Sequence, residues 1–320
     1  MSSLAAARSK VDPSAEMERL GREGIRAIPW DDPEYPPRLK EVYDLPPVLF
    51  VKGTLLPEDE RAVAVVGTRR ATAYGREAAS QISTDLARSG ITIVSGLARG
   101  IDSIAHRAAL EAEGRTIAVL GNGLDTVYPP EHAALASQIA ETGALVSEYP
   151  LGVRPEARNF PRRNRLLSGM TLGTLVIEAP EGSGAIWTVR HALEQDREVF
   201  CVPGSIFSPN SRATNQLIQQ GAKLVMDYKD VVEELNLAGI GEQLPMQALF
   251  TPDNDTEAAL LGHITYEPAH IDELGRLSGL PMATVSGTLA IMELKGLVTQ
   301  IGAMSYVRTR EVAAPYSAGN

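Results

Sequence analysis

Between residues 61 and 226, short and nearly unbroken apolar runs recur at 63–66, 91–94, 116–120, 144–146, 172–177, 198–202 and 223–226. None alternates apolar with polar positions, so each reads as a strand covered on both faces. Most of the gaps hold segments of helical period, at 75–88, 102–113, 131–140, 184–195 and 211–220. Parallel strands need crossover connections, and these are right-handed. The alternation therefore predicts an α/β fold, a doubly wound and mostly parallel sheet of about seven strands, over residues 61–236.

The flanks break that pattern. Residues 1–60 read as an extended, weakly folded lead-in, with a short helix near 15–22 and a strand at 46–53. Between them lies Asp31-Asp32-Pro33-Glu34-Tyr35-Pro36-Pro37. Proline has no backbone donor and resists helix interiors, so this run is expected as coil over another surface. Residues 237–256 carry Gly239, Gly241, Pro245 and Pro252 and read as a linker. Residues 257–310 predict helices at 257–264, 271–278 and 282–295, then a hairpin from 297–301 and 305–309. Three helices and a hairpin suggest a winged-helix-like module. Residues 311–320 form a tail.

The chain of 320 residues is 44% hydrophobic and 22% charged, an ordinary globular balance. Cys201 is the one cysteine, so no internal disulfide can form. With no signal-peptide core and no long uncharged apolar run, the expectation is a cytoplasmic chain without a membrane partner. A net charge of −10 argues at first against nucleic acid. Its distribution removes the objection. Residues 227–276 hold eleven acids against Lys229 and Arg276, whereas residues 61–226 hold 17 bases against 15 acids.

In an open parallel sheet, ligands bind outside the carboxyl ends of the strands. Here those ends read Gly67-Thr68-Arg69-Arg70, Ser95-Gly96-Leu97-Ala98-Arg99-Gly100, Gly121-Asn122-Gly123, Ser147-Glu148-Tyr149, Glu178-Ala179-Pro180 and Cys201-Val202-Pro203-Gly204. Small residues let backbone amides approach an anion, and helix amino termini add positive potential. Gly67 begins no G-x-G-x-x-G, and Gly121-Asn122-Gly123 leads into Tyr128-Pro129-Pro130 rather than a helix. With no P-loop and no G-x-S-x-G elbow, dinucleotide, P-loop and α/β-hydrolase readings lose their motifs, and no cofactor is expected. His132 and His191 lack ligand-spaced partners, so no metal site is expected. Asp102 and His106 sit one helical turn apart, a spacing better suited to a capping carboxylate and a satisfied histidine than to catalysis.

Positive charge concentrates at Arg154, Arg158, Arg162, Arg163 and Arg165, five arginines in twelve residues, with Phe160 and Asn164 among them. Guanidinium groups suit phosphate and a phenyl ring offers a face to an unpaired base, which favours single strands over duplex. The alternative is a solvated loop held by structural ion pairs. Arg69 and Arg70, leaving a neighbouring strand, could extend the same groove.

These residues resemble the DNA-processing protein A (DprA or Smf) family. The matching text is Gly67-Thr68-Arg69, Ser95-Gly96-Leu97-Ala98-Arg99-Gly100-Ile101-Asp102, Ala105-His106, Tyr128-Pro129 and Ser147-Glu148-Tyr149-Pro150. It continues through Phe160-Pro161-Arg162-Arg163-Asn164-Arg165, Glu178-Ala179, Ser183-Gly184, Pro203-Gly204, Asn215-Gln216-Leu217-Ile218 and Gly221-Ala222. The resemblance implies an extended Rossmann-like domain that binds single-stranded DNA, forms a homodimer and is not an enzyme. It also implies loading of a RecA-type recombinase in natural transformation or recombination, past single-strand-binding protein. Carried onto this sequence, DNA contacts would come from Arg69, the turn from Gly96 to Gly100, Phe160, Arg162, Arg163 and Arg165, and Arg70 is added from its place beside Arg69. Asn164, Ser183, Gly184 and Asn215 would shape the pocket, and Leu217 and Ile218 would form the dimer contact.

Ala213, Trp187 and Val189 depart from the family pattern, and a helical amino-terminal domain found in many members is expected to be absent or reduced here. The carboxy-terminal module resembles the family's winged helix. Its third helix, at 282–295, offers Lys295 as its only base, so it is expected to contact protein rather than duplex. The enzyme alternative is a nucleotide phosphoribohydrolase of the lysine-decarboxylase-like group, which resembles P-G-G-x-G-T-x-x-E. Here Pro180-Glu181-Gly182-Ser183-Gly184-Ala185-Ile186-Trp187 lacks the downstream carboxylate.

Overall fold

The computed structural model describes residues 12–237, 254–265, 268–295, 297–301 and 304–308, in two units, Met1–Glu242 and Gln243–Asn320. In the first unit, α1 (Pro13–Arg22), β1 (Ile25–Pro29) and β2 (Val48–Gly53) come before the regular alternation. That alternation begins with β3 (Ala62–Val66), α2 (Ala73–Arg88), β4 (Thr92–Ser95), α3 (Ile101–Glu111) and β5 (Thr116–Leu120). It continues with α4 (Ala133–Thr142), β6 (Ala144–Ser147), α5 (Asn159–Gly169), β7 (Gly173–Val176) and α6 (Ala185–Glu194). It ends with β8 (Glu198–Cys201), α7 (Arg212–Gln219), β9 (Lys223–Leu224) and α8 (Tyr228–Glu234).

The sheet has the order β1-β2-β6-β5-β4-β3-β7-β8-β9. Strands β3 to β9 are mutually parallel, as their unbroken apolar runs require. Both faces are covered. Val63 and Val65 of β3 pack with Ile82 and Leu86 of α2, while Ala62 and Val66 join the cluster of Leu166 and Leu167 of α5 and Val189 of α6. Cys201 is buried within β8, and burial pushes its thiol up to about 12.

The lead-in departs from expectation. Its residues from 13 onward are folded, and β1 and β2 extend the sheet as antiparallel strands, with Val51 opposite Val146 of β6. Without them β6 would present an apolar edge, which soluble sheets avoid. Strand β1 has the half-buried alternation of an outer strand, with Ile25 and Ile28 buried, and its terminal Pro29 is tolerated there. The proline-dense run also anchors the core. Tyr35 and Leu39 are fully buried, and the Tyr35 hydroxyl donates to the Pro46 carbonyl at 2.8 Å.

The sheet's connectivity positions the site. From β3 the chain steps outward through β4, β5 and β6, then returns to lay β7 on the other side of β3. The carboxyl ends of β3, β4 and β7 therefore flank a reversal of strand order, where open α/β sheets form their crevice.

The second unit contains α9 (Asp255–Leu261), β10 (Ala269–His270), α10 (Ile271–Ser278), α11 (Met282–Leu294), β11 (Val298–Gln300) and β12 (Ser305–Arg308). Leu260, Leu274, Val285, Leu289 and Tyr306 form its core, and β12 pairs antiparallel with both β10 and β11. Gly279 closes α10 with φ +67°, a left-handed turn suited to glycine. The arrangement is the expected winged-helix module with an added short strand. Most of the expected linker, 238–253, and the whole expected tail, 311–320, lie outside the described residues. Among the described residues no single helix is long and apolar enough to cross a membrane.

Candidate nucleic-acid interface

A cleft of about 660 Å³ opens at the reversal point. Gly67 and Thr68, leaving β3, form its floor, and the Thr68 amide donates to the Glu178 carbonyl at 2.7 Å. Gly67 is required there because a Cβ would lie 2.5 Å from Ile101 Cγ1 and 2.9 Å from the Glu178 carbonyl. Arg69 and Arg70 follow and are both exposed. Phe160 and Pro161 at the start of α5 supply one wall, while Ser183, Gly184 and Trp187 at the start of α6 supply another. The loop is held from beneath. The buried Glu178 carboxylate accepts from the Thr72 amide at 2.9 Å and the Thr72 hydroxyl at 2.7 Å. Thr72 in turn caps α2 by accepting from the Gly75 amide at 3.1 Å.

The rings have a defined geometry. Tyr128 and Phe160 lie 5.6 Å apart, tilted by 34°, and the Arg69 guanidinium sits 5.9 Å from the Phe160 centroid. Phe160 is half-buried, while Tyr128 is exposed. Fixed aromatic faces beside a cation match what an unpaired nucleotide offers, a flat π surface and a phosphate.

The arginine-rich segment does not form one rim, a correction to its sequence reading. It is largely helical, and α5 turns its arginines to different surroundings. Arg163 is buried, with Nη1 donating to the Gly96 carbonyl at 3.0 Å and to the Val119 carbonyl, which ties β4 to β5. A Cβ at Gly96 would collide with this guanidinium, so that glycine makes room for it. Burial draws Arg163 down to about 10, and it remains cationic at neutral pH. Beside it, the Asp102 carboxylate accepts from the Gly96 and Ala98 amides at 3.1 and 3.3 Å. Burial raises Asp102, and the Arg163 charge opposes that shift. Arg165 is also buried, with Nη2 2.6 Å from Glu148 and Nε 3.5 Å from Asp44. Arg163 still borders the cleft, with its Nη1 committed to carbonyls, whereas Arg165 is committed to Glu148 and Asp44 away from it. Arg162 is exposed but borders a separate hollow with Tyr149 and Arg158.

The remaining predicted residues divide in the same way. Asn164 Nδ2 donates to the Gly184 carbonyl at 3.3 Å and joins α5 to the α6 wall. Ser183 and Gly184 line the cleft directly. Gly100, at φ +77°, allows close approach to the Thr68 carbonyl, which a Cβ would strike, so it supports the floor. Asn215 brackets Gly204, accepting from its amide at 3.1 Å and donating to its carbonyl at 2.9 Å, away from the cleft lining. Leu217 and Ile218 are half-buried on α7 and pack against the sheet core.

His106 does not pair with Asp102. Its Nδ1 lies 2.6 Å from the Thr116 hydroxyl, which itself donates to the Ile93 carbonyl, so Nδ1 carries the proton. Burial pushes His106 down to about 3. Among the described residues there is no cluster of three metal-ligating side chains. Two cleft residues, Tyr128 and Trp187, were missed by sequence reasoning. Both were visible as aromatic residues near strand ends, but only the fold brings them to one opening.

Comparison with known proteins fits this architecture. The family model for DNA recombination-mediator protein A matches residues 26–236. The chain belongs to the DprA/Smf family of recombination-mediator proteins. The model for the DprA winged helix domain matches residues 234–303, so family matches fall on both units. Protein Smf of Escherichia coli strain K12 is 43% identical over 290 residues, spanning 88% of this chain and 77% of that one. The X-ray structure of DprA from Streptococcus pneumoniae is 40% identical with a TM-score of 0.65, covering 70% of this chain and 78% of the other. A structure of DNA processing protein A from Helicobacter pylori, concerned with its single-stranded DNA binding mode, is 27% identical with a TM-score of 0.59. It covers 67% of this chain and 96% of the other.

Proposed function

We propose that this DprA-family chain is a cytoplasmic mediator that binds single-stranded DNA in the cleft at the β3/β7 reversal and protects it. It then delivers the strand to a RecA-type recombinase, in competition with single-strand-binding protein, during natural transformation or recombination. The observation that carries the reading is the Arg69–Phe160–Tyr128 arrangement, one cation and two rings on a glycine floor. The single-stranded DNA binding of the Helicobacter pylori relative supports it. Arg69 and Arg70 neutralise phosphates, and a base stacks on the ring pair. Because every base has a π face, the grip is tolerant of sequence.

Two copies would hold one strand with higher avidity than a single cleft, provided the strand spans both. We assign the homodimer contact to the side of Leu217 and Ile218, next to the outermost strand β9. The phosphoribohydrolase alternative is not favoured, since the first turn of α6 is Ala185-Ile186-Trp187-Thr188, without a carboxylate.

Anisotropy of labelled oligo-dT tests the site. Arg69→Ala is expected to weaken binding about tenfold while leaving the unfolding midpoint in place. Unchanged affinity would refute the cleft assignment. Capture of a RecA-type recombinase with and without single-stranded DNA tests delivery, and no capture in either case would refute it.

A further inference from the structure

Trp187 borders the cleft from the first turn of α6 with 47% of its surface exposed. An indole is ordinarily drawn well inside a protein, being the largest apolar group a chain carries. Here it belongs to none of the packed cores among the described residues, yet it is not loose. Arg190, three positions on and so on the same helix face, holds its guanidinium 5.0 Å from the ring centroid. The other wall repeats the device, with Arg69 over Phe160 at 5.9 Å. Two rings of the cleft lining thus each have a guanidinium beside them, Arg69 within the lining and Arg190 next to it.

We propose that Trp187 and Arg190 form a second base-stacking station for the single strand that Arg69, Phe160 and Tyr128 hold first. This rests on the reading that the cleft takes single-stranded DNA. The ring receives a base and the neighbouring cation meets the adjoining phosphate, so the strand is gripped at two points across the floor. Charge favours a polynucleotide over an apolar peptide as the occupant. Each platform carries its own cation, and the carboxylate of Asp102 at the base is already committed to the Gly96 and Ala98 amides.

Trp30 and Trp187 are the two tryptophans of the chain, so Trp30→Phe leaves Trp187 as the sole indole emitter. Oligo-dT added to that full-length protein is expected to quench emission saturably, with the same midpoint as anisotropy of the labelled oligomer. Trp187→Ala is expected to weaken binding about tenfold, and Trp187→Phe to retain most of the affinity. Normal anisotropy with unchanged emission and unchanged Trp187→Ala affinity would overturn the second station and leave the cleft assignment standing. No anisotropy change with any oligomer would overturn both.

Discussion

Arg162, Arg163 and Arg165 share one helix: exposed Arg162 and buried Arg165 both approach Glu148 and Asp44, while buried Arg163 is tied to backbone carbonyls. Arg165 forms an ion pair with Glu148 in which both side chains are over nine-tenths buried. Truncating one partner of such a pair strands the other charge in the interior. Arg165→Ala is therefore expected to lower the unfolding free energy by about 3–5 kcal/mol in urea denaturation. Arg69→Ala, at an exposed position, should change it by less than about 0.5 kcal/mol. If the two variants were equally stable, the division between supporting and gripping arginines would fail. The sequence showed which segment was rich in guanidinium groups, and Arg69, Arg70 and Phe160 do converge on one opening. It did not show that Arg163 and Arg165 turn inward, because that depends on Glu148, Gly96 and Val119, which come from other strand ends. Helical period alone could not reveal it either, since the segment contains Pro155 and Pro161 and reads as a connection. Pro161 in fact lies in the first turn of α5, where a missing amide costs little.

At the scale of elements, the parallel strands were legible because each is an unbroken apolar run. The lead-in was not, because its strands pair across distance, with β2 lying on β6 about a hundred positions away in the chain. The prolines at 29–37 suggested coil, and local composition cannot reveal that Tyr35 and Leu39 between and beyond them are core residues. These strands seal the sheet. A chain lacking residues 1–53 should expose β6 along its length and be recovered as aggregate, with little or no monomer or dimer on size-exclusion chromatography. A well-behaved truncated protein would show that β1 and β2 are dispensable. In the second unit the winged-helix elements were legible from helical period and Gly279. The charge on α11 is confined to Glu293, which gives this helix no means of neutralising duplex phosphates.

For the whole molecule, a net charge of −10 would repel DNA if it were evenly spread, so the proposed strand binding requires local positive charge at the cleft. Affinity for oligo-dT should fall as salt rises, and the log–log slope should become shallower by about 1.4 when Arg69 and Arg70 are both replaced by alanine. An unaltered slope would mean that other cations meet the phosphates. The cleft also has a history written into its connectivity. Thr72 and Glu178, 106 positions apart, fasten the loop after β3 to the end of β7 through two hydrogen bonds. A nascent chain on the ribosome cannot complete this fastening until β7 and the residues after it have emerged, and non-local closure of this kind comes late in folding. Shortened translation products that end before Glu178 would therefore lack the fastening that holds the cleft floor in place.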